Sequence, residues 1–589
     1  MRNNMCSLCK LINLEELDLS GNGFEGSLPA CLNNLTSLRL LDLSRNDFLT
    51  QYISLSYNHF EGSIYFGSLF NHSRLEVFEL SSNNKYLKVE TENPTWSFLL
   101  FQLKILRLSN CTLNWPSRVV PNFLLSQHDL RVVDLSYNHM TGDVPTWLLD
   151  NNTKLEYLSF ESNSLTGVLD LGSSSKHSHI ASTFHRLYFS SLEILNLSGN
   201  ALQGYIPSSM GDMEWLGSLD LSNNNLSGQL PKHMMMGCIS LEVLKLSNNS
   251  LHGTLPTKSN LTWLSSLSLD NNDFWGEISR GFLNSSFLRL LDVSSNSLMG
   301  QIPDWIGDFS ALETLILSRN YLDGAVPTGF CKLNELRFLD LSHNKIGPTL
   351  PPCANLTNMK FLHLESNELT GPIPHVLAEA TSLVTLNLRD NKLSSPIPPW
   401  ISLLSKLRVL LLKGNQLEES IPLHFPIPPE IGNLSGIHTL NLSYNQLTRS
   451  IPQTFSNLKE IECLDLSHNR LTGQIPPQMV IELNFLTVFT VSHNNLSGQP
   501  LLCGLPLKRS CTPTSAPPAI KPLVSDNREN SSWEAIFLWS FGGSFGVAFL
   551  GIVAFLYLNS YYRELLFYFI GEHVPFLRSR VDKLSPVYE

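Results

Sequence analysis

Charge is scarce in this chain, and basic charge scarcer still. Of 589 residues only 15% are charged, with 40 Lys and Arg against 51 Asp and Glu, a formal net charge of −11. Nucleic acid is bound through clustered Lys and Arg, and no long run of either occurs, so nucleic acid is excluded as a partner. Chemistry-bearing motifs are missing as well. There is no Gly-rich loop, H-R-D or D-F-G set, which removes phosphoryl transfer. No grouping of nucleophile, base and orienting residue stands out, so the chain does not read as an enzyme. Cys6 and Cys9 spell C-x-x-C, but a zinc site needs a second pair nearby and none follows. His177, His179 and His185 have no Cys or carboxylate at ligand spacing and read as a polar surface loop, so no metal and no cofactor are expected. What is plentiful is apolar surface: the hydrophobic share is 42%. That excludes disorder for most of the chain.

The chain aligns on itself. LEELDLSGNGFEGSLP begins at residue 14, LRVVDLSYNHMTGDVP at 130, LRFLDLSHNKI at 336 and IECLDLSHNRLTGQIP at 461. The Asn of the phrase recurs from Asn22 to Asn494 at about 20 positions, once replaced by Cys111. From Asn200 to Asn415 the step is nearly constant, at about 24 residues. This is the pattern L-x-x-L-x-L-x-x-N/C-x-L of a leucine-rich-repeat solenoid. L-x-L predicts a short strand with its Leu side chains inward, and stacked strands make one parallel sheet on a concave face. The Asn predicts a buried amide that satisfies backbone groups where the chain turns, a task Cys111 would do weakly. The G-x-I-P half, as at Gly204–Pro207, Gly300–Pro303 and Gly473–Pro476, bends the chain toward the convex side. Cys31, Cys238, Cys331 and Cys353 lie on convex segments and read as small buried hydrophobes.

Repeats with this L-x-G-x-I-P second half resemble those of plant cell-surface receptors over most of residues 11 to 500. With one membrane helix and a short tail after them, the chain resembles the kinase-less plant leucine-rich-repeat receptor-like proteins. The resemblance implies an extracellular peptide or protein ligand on the concave face. It also implies signalling in defence or development through a leucine-rich-repeat receptor kinase as co-receptor. The polygalacturonase-inhibiting proteins have similar repeats and are the alternative among binding proteins; a non-functional truncated remnant is the other alternative.

The expected organisation is an array over 1–500, irregular at 46–58, 163–200 and 415–445; a cap at 501–512; a linker at 513–535; a membrane helix at 536–558; and a short cytoplasmic tail at 559–589. The cap LCGLPLKRSC resembles the disulfide-closed end of these receptors, which implies a Cys503–Cys511 bond. The segment Ile536–Leu558 carries no charged residue. As a helix it spans about 34 Å, enough for a hydrocarbon core of about 30 Å. Gly542 and Gly546 form a G-x-x-x-G step that admits a second helix, and Gly is also simply common in membrane helices. Flanking charge does not set the orientation. Acceptor motifs N-x-S/T do favour an outside array: Asn34, Asn71, Asn110, Asn151, Asn196, Asn225, Asn248, Asn260, Asn284, Asn355, Asn433, Asn441, Asn495 and Asn530 all precede the end of the helix. The expected location is therefore the plasma membrane, single-pass, with the repeats outside the lipid bilayer.

Two departures from the family pattern lead to further expectations. The sequence opens MRNNMCSLCK with no apolar signal-peptide core and no N-terminal capping domain, which reads as a truncation. KGNQLEESIPLHFPIPPEIGNLSGI sets two I-P phrases nearly back to back, where the family usually carries a non-repeat island. Asp18, Asp42, Asp134, Asp220, Asp292, Asp340 and Asp465 look like the default strand surface. The column that is usually Ser becomes Glu365, Arg389 and Lys413 in three consecutive repeats, beside His363 and Asp390. Neighbouring strands lie about 4.8 Å apart, so these five residues are expected to form a charged stripe that contacts the ligand.

Overall fold

The computed structural model describes residues 101–169, 191–352, 356–417 and 427–497 throughout, with shorter stretches between 11 and 92. Cys6, Cys9, Cys31, Cys353, Cys503, Cys511, Gly542, Gly546, the three loop histidines, the membrane segment 536–558 and the tail lie outside the described residues. Among the described residues no helix is long and apolar enough to cross a membrane.

Eighteen short strands pair in parallel and in chain order, from Tyr52–Ser54 to Val488–Thr490. In a typical strand, Phe338–Asp340, the central Leu339 is buried and its two neighbours are half-buried. That is the period-2 alternation of a sheet with one covered face. Register is constant: Phe338, Leu339 and Asp340 pair with Phe361, Leu362 and His363 of the next repeat. Equivalent residues therefore stand in rows across the concave face. Behind the sheet the Leu rows form one continuous core; Leu315, Leu317, Leu339 and Leu341 are each at most 2% exposed.

The repeated Asn ties each repeat to the one before. Asn320 donates from Nδ2 to the carbonyls of Val293 (3.0 Å), Leu317 (3.2 Å) and Ser318 (3.2 Å), and its Oδ1 accepts the Leu298 N–H at 2.9 Å. Asn249, Asn344 and Asn469 make the same set of bonds to their own neighbours. Cys111 substitutes poorly, as expected, its Sγ standing 3.4 Å from the Ser109 carbonyl and 3.7 Å from that of Leu80.

Gly300 bends the chain at φ +81°. Gly adopts this left-handed region without strain. The second half of the repeat also does something its sequence did not announce. From Gln203–Tyr205 to Lys345–Ile346 these segments form a second, seven-stranded parallel sheet. Stacking brings consecutive bends within hydrogen-bonding reach, an effect invisible within one repeat. On the convex side, 3-10 turns follow the Pro residues, as at Asp304–Asp308 and Thr328–Lys332. They pack so closely that a Cβ on Gly329 would sit 1.9 Å from the Asp304 carbonyl oxygen.

Both long irregular steps leave the sheet intact. Tyr157 pairs with Ile194 across the 163–200 step, and Val409 with Thr439 across the 415–445 step, each in ordinary register. Two expectations need correction. Cys238 is a free buried thiol, but Cys331 is not a plain buried hydrophobe: it is disulfide-bonded. Cys111, Cys238 and Cys463 are in no disulfide and are not its partners.

The Asp row is not a bland surface either. Asp134, Asp220, Asp292 and Asp465 each accept, at Oδ1, both the backbone N–H and the hydroxyl of the Ser two residues on. Asn196 and Asn441 do the same for Ser198 and Ser443, so a neutral amide serves equally as cap. Burial first, then the neighbouring Asp270, pushes the Asp292 carboxyl up to about 6, against the lowering effect of its Ser294 bonds.

Replacing Asn320 by Ala should destabilise the array by about 3 kcal/mol, because buried backbone groups of two repeats lose their partners. Asn320→Asp should fail similarly for want of donors. Urea unfolding of the variants tests this. Asp292 predicts a pH effect of opposite sense to an ordinary paired carboxylate. Its folded-state value lies above the unfolded one, so its contribution to stability is lost as pH rises from about 4 through 6. Asp292→Asn keeps the Ser294 cap and removes the charge. It should therefore stabilise the protein at pH 7 by about 1–3 kcal/mol, with the gain vanishing at pH 4.

Candidate functional site

The concave face is where the sequence varies while the fold does not. Its rows are set by the strands, and the side chains between the inward Leu residues are those a ligand would meet.

The charged stripe is formed in part. Arg389 Nη2 stands 3.7 Å from Glu365 Oε1, and His363 Nδ1 3.9 Å from Glu365 Oε2. Arg389 Nε is also held by Asn387 Oδ1 at 3.1 Å. The Glu365 side chain is only 13% exposed, and its Oε2 is enclosed without a hydrogen-bond partner. Lys413 does not join that group: its ammonium lies over the Tyr444 ring, 5.1 Å from the centroid. Asp390 sits in the turn after its strand, exposed, at φ +51°.

Lys413 leads instead into a feature the sequence reading missed. Tyr444 stacks on His468 at 4.0 Å, and His468 on His493 at 4.1 Å. All three occupy the position just before the repeated Asn, in left-handed backbone. The signal was present in LSYN, LSHN and VSHN, three successive repeats with a ring in one column. A second missed feature lies upstream. Phe338 packs against Phe361 at 5.9 Å and against the His363 ring at 5.6 Å.

Acids and bases pair unevenly along the face. Arg107 and Glu79 stand 3.6 Å apart, Lys245 and Asp220 3.9 Å, and Glu313 lies between Arg289 (3.7 Å) and Arg337 (3.4 Å). Among the described residues Asp292 and Asp340 have no such ion pair.

Ten of the sugar-acceptor motifs fall on described residues. Asn225, Asn248, Asn260, Asn284, Asn433 and Asn495 are exposed, while Asn110, Asn151, Asn196 and Asn441 are half-buried. Asn196 and Asn441 lie on concave strands with Nδ2 already donating to Glu161 and Asp465. Asn34, Asn71, Asn355 and Asn530 lie outside the described residues. No cluster of potential metal ligands occurs among the described residues.

Leucine-rich-repeat family models match residues 286–346 and 435–496, with a two-copy repeat model at 334–375 and single repeats at 13–35, 191–213, 215–235 and 382–404. Receptor-like protein 1 of Arabidopsis thaliana is 43% identical over 231 residues, 35% of this chain and 21% of that protein. Receptor-like protein 13 of the same plant is 37% identical over 259 residues, 40% of this chain and 24% of that one. Cuscuta receptor 1 of Solanum lycopersicum is 32% identical over 261 residues, 38% and 22% of the respective chains. The aligned part thus spans less than a quarter of these relatives. Among solved structures, the ectodomain of the Arabidopsis receptor kinase HAESA with an IDA peptide hormone superposes with TM-score 0.63 at 27% identity, covering 84% of this chain and 85% of that one. The complex of PEPR1 with AtPEP1 gives 0.57 at 27% identity, covering 83% and 76%. HAESA with IDA and the co-receptor SERK1 gives 0.60 at 27%, covering 84% and 85%. In its repeat phrase and its stacked parallel sheet the chain is a leucine-rich-repeat protein, and over the aligned part it is similar to plant receptor-like proteins.

Proposed function

We propose that this chain is the ligand-binding part of a kinase-less cell-surface receptor. It binds an extracellular peptide or protein on the concave face and signals through a leucine-rich-repeat receptor kinase. The observation that carries the proposal is the Glu365–Arg389 group within a row that is Ser in most repeats, since charge held at a defined place on a repeat surface selects a partner rather than building the fold. HAESA, a structural neighbour, is a receptor kinase solved with a peptide hormone and with a co-receptor, which supports the same use of this architecture. The array is taken to lie outside the cell, anchored by 536–558, with the exposed acceptor asparagines carrying sugar.

Two expectations test this. Arg389 and Lys413 are partly exposed. The contact from Arg389 to the largely buried Glu365, at 3.7 Å, is too long for a direct hydrogen bond. Replacing Arg389 and Lys413 with Ala should lower the melting temperature modestly without unfolding the array, because Glu365 loses its neighbouring cation. It should deplete extracellular peptides that co-purify with the array, read by mass spectrometry, by at least about tenfold, the cost of removing charge-assisted contacts. The same peptides in the same amount would sink the reading. Separately, an N-glycosidase should shift the size of the expressed chain. Gln at Asn225, Asn248, Asn260, Asn284, Asn433 and Asn495 should remove most of that shift, and an unglycosylated chain would refute an outside array.

A further inference from the structure

An exposed aromatic patch lies outside the concave rows. Trp263 and Phe287 stack with ring centroids 5.3 Å apart and planes within 4° of parallel, yet they are 57% and 52% exposed. Each stands just before the buried Leu that leads into a concave strand, Leu264 before Ser266–Ser268 and Leu288 before Leu290–Asp292. Both therefore lie on the edge where the chain enters the sheet. The repeat before Trp263 adds exposed Met236 and Ile239. Single exposed apolar side chains are ordinary, but a group of them marks a surface that something covers.

The residues beside the rings indicate what covers this one. Each ring is the third residue after the Asn of an N-x-S/T acceptor, as Asn260-Leu261-Thr262-Trp263 and Asn284-Ser285-Ser286-Phe287. Both Asn residues are exposed. The chain folds the same way at each: the Thr262 N–H donates to the Asn260 carbonyl at 2.8 Å, and the Ser286 N–H to that of Asn284 at 3.1 Å. A second turn follows at once, with the Leu264 N–H on the Leu261 carbonyl (3.3 Å) and the Leu288 N–H on that of Ser285 (3.1 Å). These turns keep acceptor and ring on one short stretch of surface. The amides are also aimed. Asn284 Nδ2 points to the repeat before, 3.4 Å from the Ser259 carbonyl, and Asn260 Nδ2 lies 3.3 Å from the Met236 carbonyl. A sugar on Asn284 is thereby directed toward the repeat of Trp263, and one on Asn260 toward the repeat of Met236 and Ile239. Either contact can survive attachment, because a glycosylated amide keeps one N–H. The other exposed acceptors, Asn225, Asn248, Asn433 and Asn495, have Gly or Leu where these two have a ring. Asn441 does precede a ring, Tyr444, but it is half-buried with its amide on Asp465.

We propose that Asn260 and Asn284 carry N-linked sugar whose first residues lie over the Trp263–Phe287 stack and its apolar surroundings. The proposal rests on the outside array of the preceding reading and adds which acceptors are structural and what their sugar covers. Attachment joins Nδ2 to C1 of the sugar, breaks the C1–O bond to a lipid-linked diphosphate donor, and leaves the amide proton with the departing diphosphate. A hexosamine ring has a face of C–H groups that packs on an aromatic ring and removes apolar surface from water, while its hydroxyls remain solvated.

The test uses the full chain expressed in plant cells, with glycopeptide mass spectrometry for occupancy and hydroxyl-radical footprinting for exposure. Asn260 and Asn284 should both carry sugar. Thr262→Ala with Ser286→Ala removes both acceptors and leaves both Asn side chains in place. In that variant Trp263 should be labelled several-fold faster than in the unaltered chain. Trp275, 51% exposed and beside no acceptor, should be labelled equally in both. Conversely, Trp263→Ala with Phe287→Ala should keep the sugar but speed its release from the native chain by an N-glycosidase, to the rate seen at Asn225. Sugar at Asn225 or Asn495 with none at Asn260 and Asn284 overturns the proposal and leaves the outside array standing. So does equal labelling of Trp263 with and without the acceptors, whether slow because another protein covers it or fast because nothing does. Sugar nowhere on the chain overturns both.

Discussion

Everything else in this array depends on a buried side-chain amide that must be hydrogen-bonded on all sides. Each ladder Asn presents two donors and an acceptor in a place water does not reach. The only groups that can meet them are the backbone of its own turn and the backbone of the repeat before. One residue therefore fixes the turn, the register and the spacing of the next strand. Because the bonds run to backbone groups, they do not depend on which side chains the strand carries. Cys111 marks the limit of tolerance. This repeat keeps its place with long sulfur contacts, beside a following repeat whose Asn138 has the full set.

That division of labour explains why insertions are harmless and why the concave surface is free to change. The ladder crosses from Tyr157 to Ile194 and from Val409 to Thr439 as if the intervening residues were an ordinary repeat, because only strand and turn take part. The strand residues that face solvent carry no obligation to the core. A departure from the prevailing residue in such a row is therefore not a folding requirement, and the place to look for recognition is where a row is broken.

The solenoid, the parallel concave sheet and the ladder were legible in the sequence because each rests on a repeated pattern within one unit. What escaped was whatever arises between units. The second sheet beside the first forms only when bends such as Gly300 and Gly324 stack, each too short to read as a strand alone. The Tyr444, His468 and His493 stack needed three repeats compared column by column. Cys331 reads as a buried hydrophobe because a repeat-level pattern says nothing about which thiols find a partner. Within the charged stripe, the repeat alignment puts Glu365, Arg389 and Lys413 in one row. Only the structure shows Lys413 drawn to the Tyr444 ring, a contact set by the side chain of the following repeat.

The Asp row shows how a structural device becomes a functional background. A carboxylate or an amide at this position caps the Ser two residues later equally well, so the fold needs an acceptor and not a charge. Where the chain nevertheless uses Asp, the concave face acquires negative potential without any demand from folding. At Asp292 burial and the neighbouring acids act against that charge. Neutral Asn at the same position, as in Asn387, would avoid that penalty. The charge at Asp292 is therefore kept against the preference of the fold. Positions that leave the row altogether, among them Arg107, Lys245, Ile316, His363 and Leu411, then divide the face into segments of different character. Their order along the array sets where the face presents charge and where it presents apolar surface.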